Sequence, residues 1–91
     1  MVMVIDDHSD VCNALVRLVQ MQGCEAEGIT NPLLAMTRIR TKMPCLIILD
    51  DMMPGMSGLD LLRELHDTED LKNIPVAMHS AAYNDKRAAD A

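Results

Sequence analysis

Two short apolar runs, each closed by a pair of acids, constrain this chain more than anything else in it. Val2–Ile5 runs into Asp6 and Asp7, and Leu46–Leu49 runs into Asp50 and Asp51, with Pro54 and Gly55 breaking the chain soon after. A continuous apolar run ended by a turn signal fits a strand buried on both faces. Such strands belong to parallel sheets covered by helices on each side. In those sheets ligands bind beyond the carboxyl ends of the strands, which is where the acids fall. If the two strands are adjacent, Asp6, Asp7 and Asp50 meet at one edge. Clustered carboxylates repel, and burial raises their pKa further. A divalent cation relieves both penalties, and a few hard oxygen donors with room for water suit Mg²⁺. Solvated strand-end acids would explain one such pair; two pairs after two buried strands make that the weaker reading.

The rest of the chain fills in around those strands. Ser9 is placed to cap a first helix, with Val11, Leu15, Leu18 and Val19 as its apolar stripe and Gly23 as the residue that closes it. Cys24–Ile29 is a weak strand, polar enough to lie at an edge. Asn31 followed by Pro32 opens a second helix. Ala35, Ile39 and Met43 form its inner stripe, Arg38, Arg40 and Lys42 its solvated face, and Pro44 its stop. Cys45–Asp50 is the third strand. Ser57 with Asp60 three residues on has the form of a capping box, and Leu61, Leu62 and Leu65 give the third helix a buried side. His66–Asn73 is a charged loop. Ile74–His79 is the fourth strand, with Pro75 near its start where a missing N–H is tolerated. Asn84–Ala91 begins a fourth helix. The alternation βαβαβαβ(α) predicts an α/β layout with a parallel sheet.

Composition narrows the function classes. With 91 residues the chain is at most one domain. Tyr83 is its one aromatic residue and it has nine methionines, so the core is aliphatic and Met-filled. A net charge of -6 argues against nucleic acid or an anionic membrane as a direct partner of this segment. No apolar stretch has the length to span a bilayer. Cys12, Cys24 and Cys45 are odd in number and share no short spacing, which fits reduced thiols in a cytoplasmic protein better than a disulfide frame or a zinc site.

Three stretches, VIDDHSD, LIILDDMMPGMSGLDLL and IPVAMHSAA, resemble the receiver domain of bacterial two-component response regulators, in the family's order and at its spacing. The resemblance covers essentially the whole chain. It implies a flavodoxin-like, doubly wound parallel sheet in which strands run 2-1-3-4-5. It also implies a non-enzymatic signalling role: accepting a phosphoryl group from a histidine kinase. The step of four residues to Pro54 makes Asp50, not Asp51, the phosphoacceptor. Asp7 resembles the direct Mg²⁺ ligand of the acidic pair and Asp6 its supporting partner. The backbone carbonyl of Met52 falls where the family supplies another ligand, and Ser80 where a hydroxyl contacts the phosphoryl oxygens.

Two family elements are absent from this stretch of sequence, a fifth strand ending in a lysine and a fifth helix. Lys86 and Arg87 lie too close to Ser80 to take the lysine's place, and Tyr83 does not correspond to the aromatic switch residue. The domain, residues 1–91, is therefore expected to be C-terminally incomplete, with strand order 2-1-3-4 and a fourth strand whose free edge invites homodimerisation. The second functional reading is a degenerate receiver that binds or dimerises without phosphorylation. A third, a Mg²⁺-dependent phosphohydrolase of the haloacid-dehalogenase type, would need Asp-x-Asp after strand one, where this chain has Asp6, Asp7 and His8.

Overall fold

Strand β1, Val2–Ile5, is buried along its whole length because it is an interior strand. The computed structural model describes residues 1–79. The expected fourth helix at Asn84–Ala91, Tyr83, Lys86, Arg87 and Ser80 lie outside those residues. After β1 come helix α1 (Ser9–Met21), β2 (Ala26–Ile29), a 3₁₀ turn (Pro32–Leu34), α2 (Ala35–Lys42), β3 (Leu46–Asp50), α3 (Gly58–His66) and β4 (Val76–His79). All strand pairings are parallel, and the sheet order is β2-β1-β3-β4, the order 2-1-3-4 expected from the sequence. β2 is at an edge, as its polar composition suggested. The register places Ile5 beside both Ile29 and Leu49, and Asp50 beside His79. Asp6, the residue after Ile5, and Asp50, the residue after Leu49, therefore stand at the same level of the sheet.

Strand alternation divides the sheet into two layers. Met3, Ile5, Ile47 and Leu49 face the larger core, which they share with Ala35 and Ile39 of α2 and Leu61 and Leu65 of α3. On the other face, α1 covers the sheet through Cys12, whose thiol reaches the Val4 carbonyl at 3.7 Å. The expected α1 stripe needs correction here. Cys12 is its one buried residue; Val11, Leu15 and Val19 of the expected stripe are partly buried, as is Val16, and Leu18 is exposed. The positions 12, 15, 16 and 19 are themselves an i, i+3, i+4, i+7 set, so the helix turned its smaller thiol inward.

The helix ends follow the sequence with three departures. His8, not Ser9, is the N-cap of α1, and its side chain makes no capping bond. Asn31 accepts a hydrogen bond from the Leu33 N–H at 3.0 Å as expected, but it starts the 3₁₀ turn ahead of α2. Met43 is not on an inner stripe: it is the C-cap of α2, left-handed at φ 47°, and exposed. Pro44 is incompatible with a continuing helix, and Met43 takes the reversal. Gly23, at φ 87°, ends α1 as read from the sequence. The Ser57–Asp60 capping box is present in both directions at the start of α3.

Arg38 is likewise not simply solvated. Its guanidinium donates to both carboxylate oxygens of Glu27, at 2.8 and 2.6 Å, tying α2 to the edge strand β2. That hydrogen-bonded pair holds the Glu27 carboxyl below its usual range.

Candidate functional site

Parallel strands in this register bring their carboxyl ends together, and the acids that follow β1 meet the acid that ends β3. Asp6 and Asp50 are both buried, at 2% and 5% exposure. One ligand atom from each of Asp6, Asp7, His8 and Asp50 lies within 4.8 Å of the others. The sequence placed Asp6, Asp7 and Asp50 together, and the structure does so. Asp51 is not part of the group. Its backbone instead ties the loop down, donating to the His79 carbonyl at 2.8 Å and accepting from the Gly58 N–H at 2.9 Å.

Each buried acid has its own support. The His8 backbone N–H donates to Asp6 Oδ1 at 2.9 Å, an Asx-type turn that orients the carboxylate. The Met52 N–H donates to Asp50 Oδ1 at 3.3 Å. Burial pushes the Asp50 carboxyl up to about 6; the Met52 N–H opposes that rise, while the nearby carboxylates of Asp6 and Asp7 add to it. No lysine or arginine pairs with Asp6, Asp7 or Asp50 among the described residues.

Two histidines border the cluster, and sequence reasoning gave neither a role. His8 Nδ1 is 3.3 Å from Asp7 Oδ1 and 3.5 Å from Asp6 Oδ1. His79 Nε2 is 3.8 Å from Asp6 Oδ2. The one available signal was adjacency, since His8 follows the first acid pair directly. His79 reaches the site through its register with Asp50, which no local pattern encodes.

The donor set suits a hard divalent cation. Asp7 Oδ1 is buried yet has no hydrogen bond among the described residues, its approach to His8 Nδ1 lacking the geometry for one. A buried oxygen without a partner costs about 1–3 kcal/mol, and a cation would supply the partner. Beside the cluster is a depression lined by Asp7, Asp51, Met52, Met53, Pro54 and Ser57. Ser80, the remaining residue expected at the site, lies outside the described residues.

Comparison with known proteins agrees with this geometry. The family model for the response regulator receiver domain matches residues 2–91. The chain is 28% identical over 90 residues to the phosphoglycerate transport system transcriptional regulatory protein PgtA of Salmonella typhimurium, covering 99% of this chain and 21% of that protein. It is 32% identical over 80 residues to the phosphate regulon transcriptional regulatory protein PhoB of Pseudomonas aeruginosa, covering 88% and 35%. The chain thus spans about a third or less of the length of these curated relatives. Among solved structures, a response regulator receiver protein from Pseudomonas putida superposes with a TM-score of 0.83 at 28% identity, covering 98% of this chain and 74% of that one. The N-terminal domain of a response regulator receiver protein from Methanoculleus marisnigri gives 0.81 at 19% identity, over 97% and 76%, a likeness of fold.

Proposed function

This chain belongs to the response regulator receiver domain family, and on that premise we propose that it accepts a phosphoryl group from a histidine kinase on the carboxylate of Asp50. Receivers are signalling modules of two-component systems, and their phosphoryl donors are histidine kinases. The observation that carries the assignment to Asp50 is its burial at the end of β3 in one cluster with Asp6 and Asp7, while Asp51 stays outside it.

In the reaction an oxygen of Asp50 attacks the donor's phosphorus, a P–O bond forms, and the P–N bond to the kinase histidine breaks. The product is an acyl phosphate, and the departing imidazole nitrogen keeps the electron pair and takes up a proton. Asp50 must be ionised to attack. A carboxyl pushed up to about 6 is mostly ionised near neutral pH and more basic than an ordinary aspartate. The Met52 N–H holds Asp50 Oδ1 in place, and the His8 N–H holds Asp6. Asp6, Asp7 and Asp50, with the Met52 carbonyl, would hold Mg²⁺. When bound, that ion supplies neutralisation of charge on the phosphoryl oxygens and the carboxylates. Ser80, directly after β4, is positioned in sequence to donate a hydrogen bond to the phosphoryl group.

The site of action proposed is the cytoplasm. Among the described residues no helix is long and apolar enough to cross a membrane. A second reading, phosphorylation-independent pairing of two copies through β4, draws on Met78 at 44% exposure and on β4 being the last strand of the described sheet. Sedimentation across protein concentrations tests it: a mass that never rises above the monomer's defeats that reading.

Incubation with labelled acetyl phosphate and Mg²⁺ tests the main reading. Acid-labile label should be abolished by Asp50→Asn and mostly kept by Asp51→Asn. Equal loss in both defeats the assignment. No label in the unsubstituted chain leaves the phosphorylation-independent module.

A further inference from the structure

We propose that His8 is a ligand, through Nδ1, at the acidic cluster, and that it shifts this site toward borderline divalent cations such as Zn²⁺ and Co²⁺ relative to Mg²⁺. The inference rests on the reading that Asp6, Asp7 and Asp50 hold a cation. Its ground is the spacing of the donors. Nδ1 is 3.3 Å from Asp7 Oδ1 and 3.5 Å from Asp6 Oδ1. Two donors each about 2.1 Å from one ion are about 3.0 Å apart in octahedral and about 3.4 Å apart in tetrahedral geometry. The observed separations lie near the tetrahedral value, so one ion can reach the ring nitrogen and both oxygens with little movement of the side chains. Asp7 Oδ1, the nearer of the two oxygens, is the buried atom that lacks a hydrogen bond.

The imidazole is free for this role. Its ring is 71% exposed and does not cap α1, so coordination displaces no internal bond. The backbone N–H of the same residue fixes Asp6 Oδ1 at 2.9 Å, which anchors the ring beside the carboxylates. An oxygen-only site suits Mg²⁺, whereas imidazole nitrogen favours Zn²⁺, Co²⁺ and Ni²⁺. One nitrogen among the oxygens therefore acts on selectivity. The competing role for His8 is that of a counter-charge to the acids. A counter-charge opposes every cation alike, so removing it would raise affinity for Mg²⁺ and Zn²⁺ together.

The test is calorimetric titration of the full chain with Mg²⁺ and Zn²⁺, alongside the visible absorption of its Co²⁺ complex. The exposed thiols Cys24 and Cys45 are replaced by serine throughout, to remove sulfur ligands. His8→Ala should lower Zn²⁺ and Co²⁺ affinity by at least about tenfold, lower Mg²⁺ affinity by a much smaller factor, and weaken the Co²⁺ absorption toward that of an octahedral oxygen site. Unchanged Zn²⁺ affinity, or a parallel rise for both ions, overturns the assignment of His8 while the cation site stands. Absence of any Mg²⁺ or Zn²⁺ binding that Asp7→Ala abolishes overturns the site and this inference together.

Discussion

The backbone of Gly58 lies against the carbonyl of Asp50 so closely that no Cβ fits between them. A Cβ there would also come within 3.0 Å of Asp51 Cα and of Met78 Cε. The N-terminus of α3 can therefore dock on the loop that carries the phosphoacceptor, with the Gly58 N–H on the Asp51 carbonyl at 2.9 Å. Gly58→Ala gains up to about 1 kcal/mol of helix propensity, but forcing a methyl against backbone costs about 1–3 kcal/mol or more. The second effect wins, since the obstructing atoms belong to the main chain. Urea denaturation should show a net loss, and labelling of Asp50 should fall with it. A neutral or stabilised variant would mean that α3 shifts freely.

The metal-free protein should lose stability as pH rises between about 4 and 6. Burial, first among its causes, raises the Asp50 carboxyl from 3.8 to about 6. Within that window the folded chain keeps a proton that the unfolded chain has released. Stability from this group is then full below the lower value and lost above the upper. A pKa unit is worth about 1.4 kcal/mol, which bounds the loss at about 3 kcal/mol. Asp50→Asn should flatten the slope and stabilise the metal-free chain at neutral pH. Urea midpoints measured in chelator across the window check both statements.

Asp7→Ala should weaken Mg²⁺ binding by at least about tenfold. It should leave the metal-free fold as stable or more so. The substitution removes a buried oxygen that lacks a hydrogen bond and one charge from a repelling cluster. Calorimetry with and without the substitution reads the first effect, and thermal melting in chelator the second. Unchanged Mg²⁺ affinity would remove Asp7 from the ligand set.

Met43→Gly should stabilise the chain by about 0.5–1 kcal/mol, because a left-handed residue with a Cβ costs about 1–2 kcal/mol and glycine gives part of that back in its own entropy. Met43 is 52% exposed, so little burial is lost with its side chain. A lowered urea midpoint would show that the contacts of Met43 outweigh its backbone strain.

The sequence by itself determined the elements and the acids. Apolar runs, capping residues and turn signals act over a few residues, so Val2–Ile5, the Ser57–Asp60 box and the Gly23 stop were legible locally. Two acid pairs after two buried strands were enough to put Asp6, Asp7 and Asp50 at one edge. Only the tertiary structure decided which way α1 turned, because its apolar residues permit two stripes and contact with Val4 chose the one through Cys12. It decided that Arg38 answers Glu27 rather than solvent, a pairing across eleven residues that no helical spacing reveals. It also decided that His8 and His79 belong at the acidic site. A side chain's chemistry is written in the sequence, but its neighbours are set by register between strands, and His79 meets Asp6 only because β4 lies beside β3 in that register.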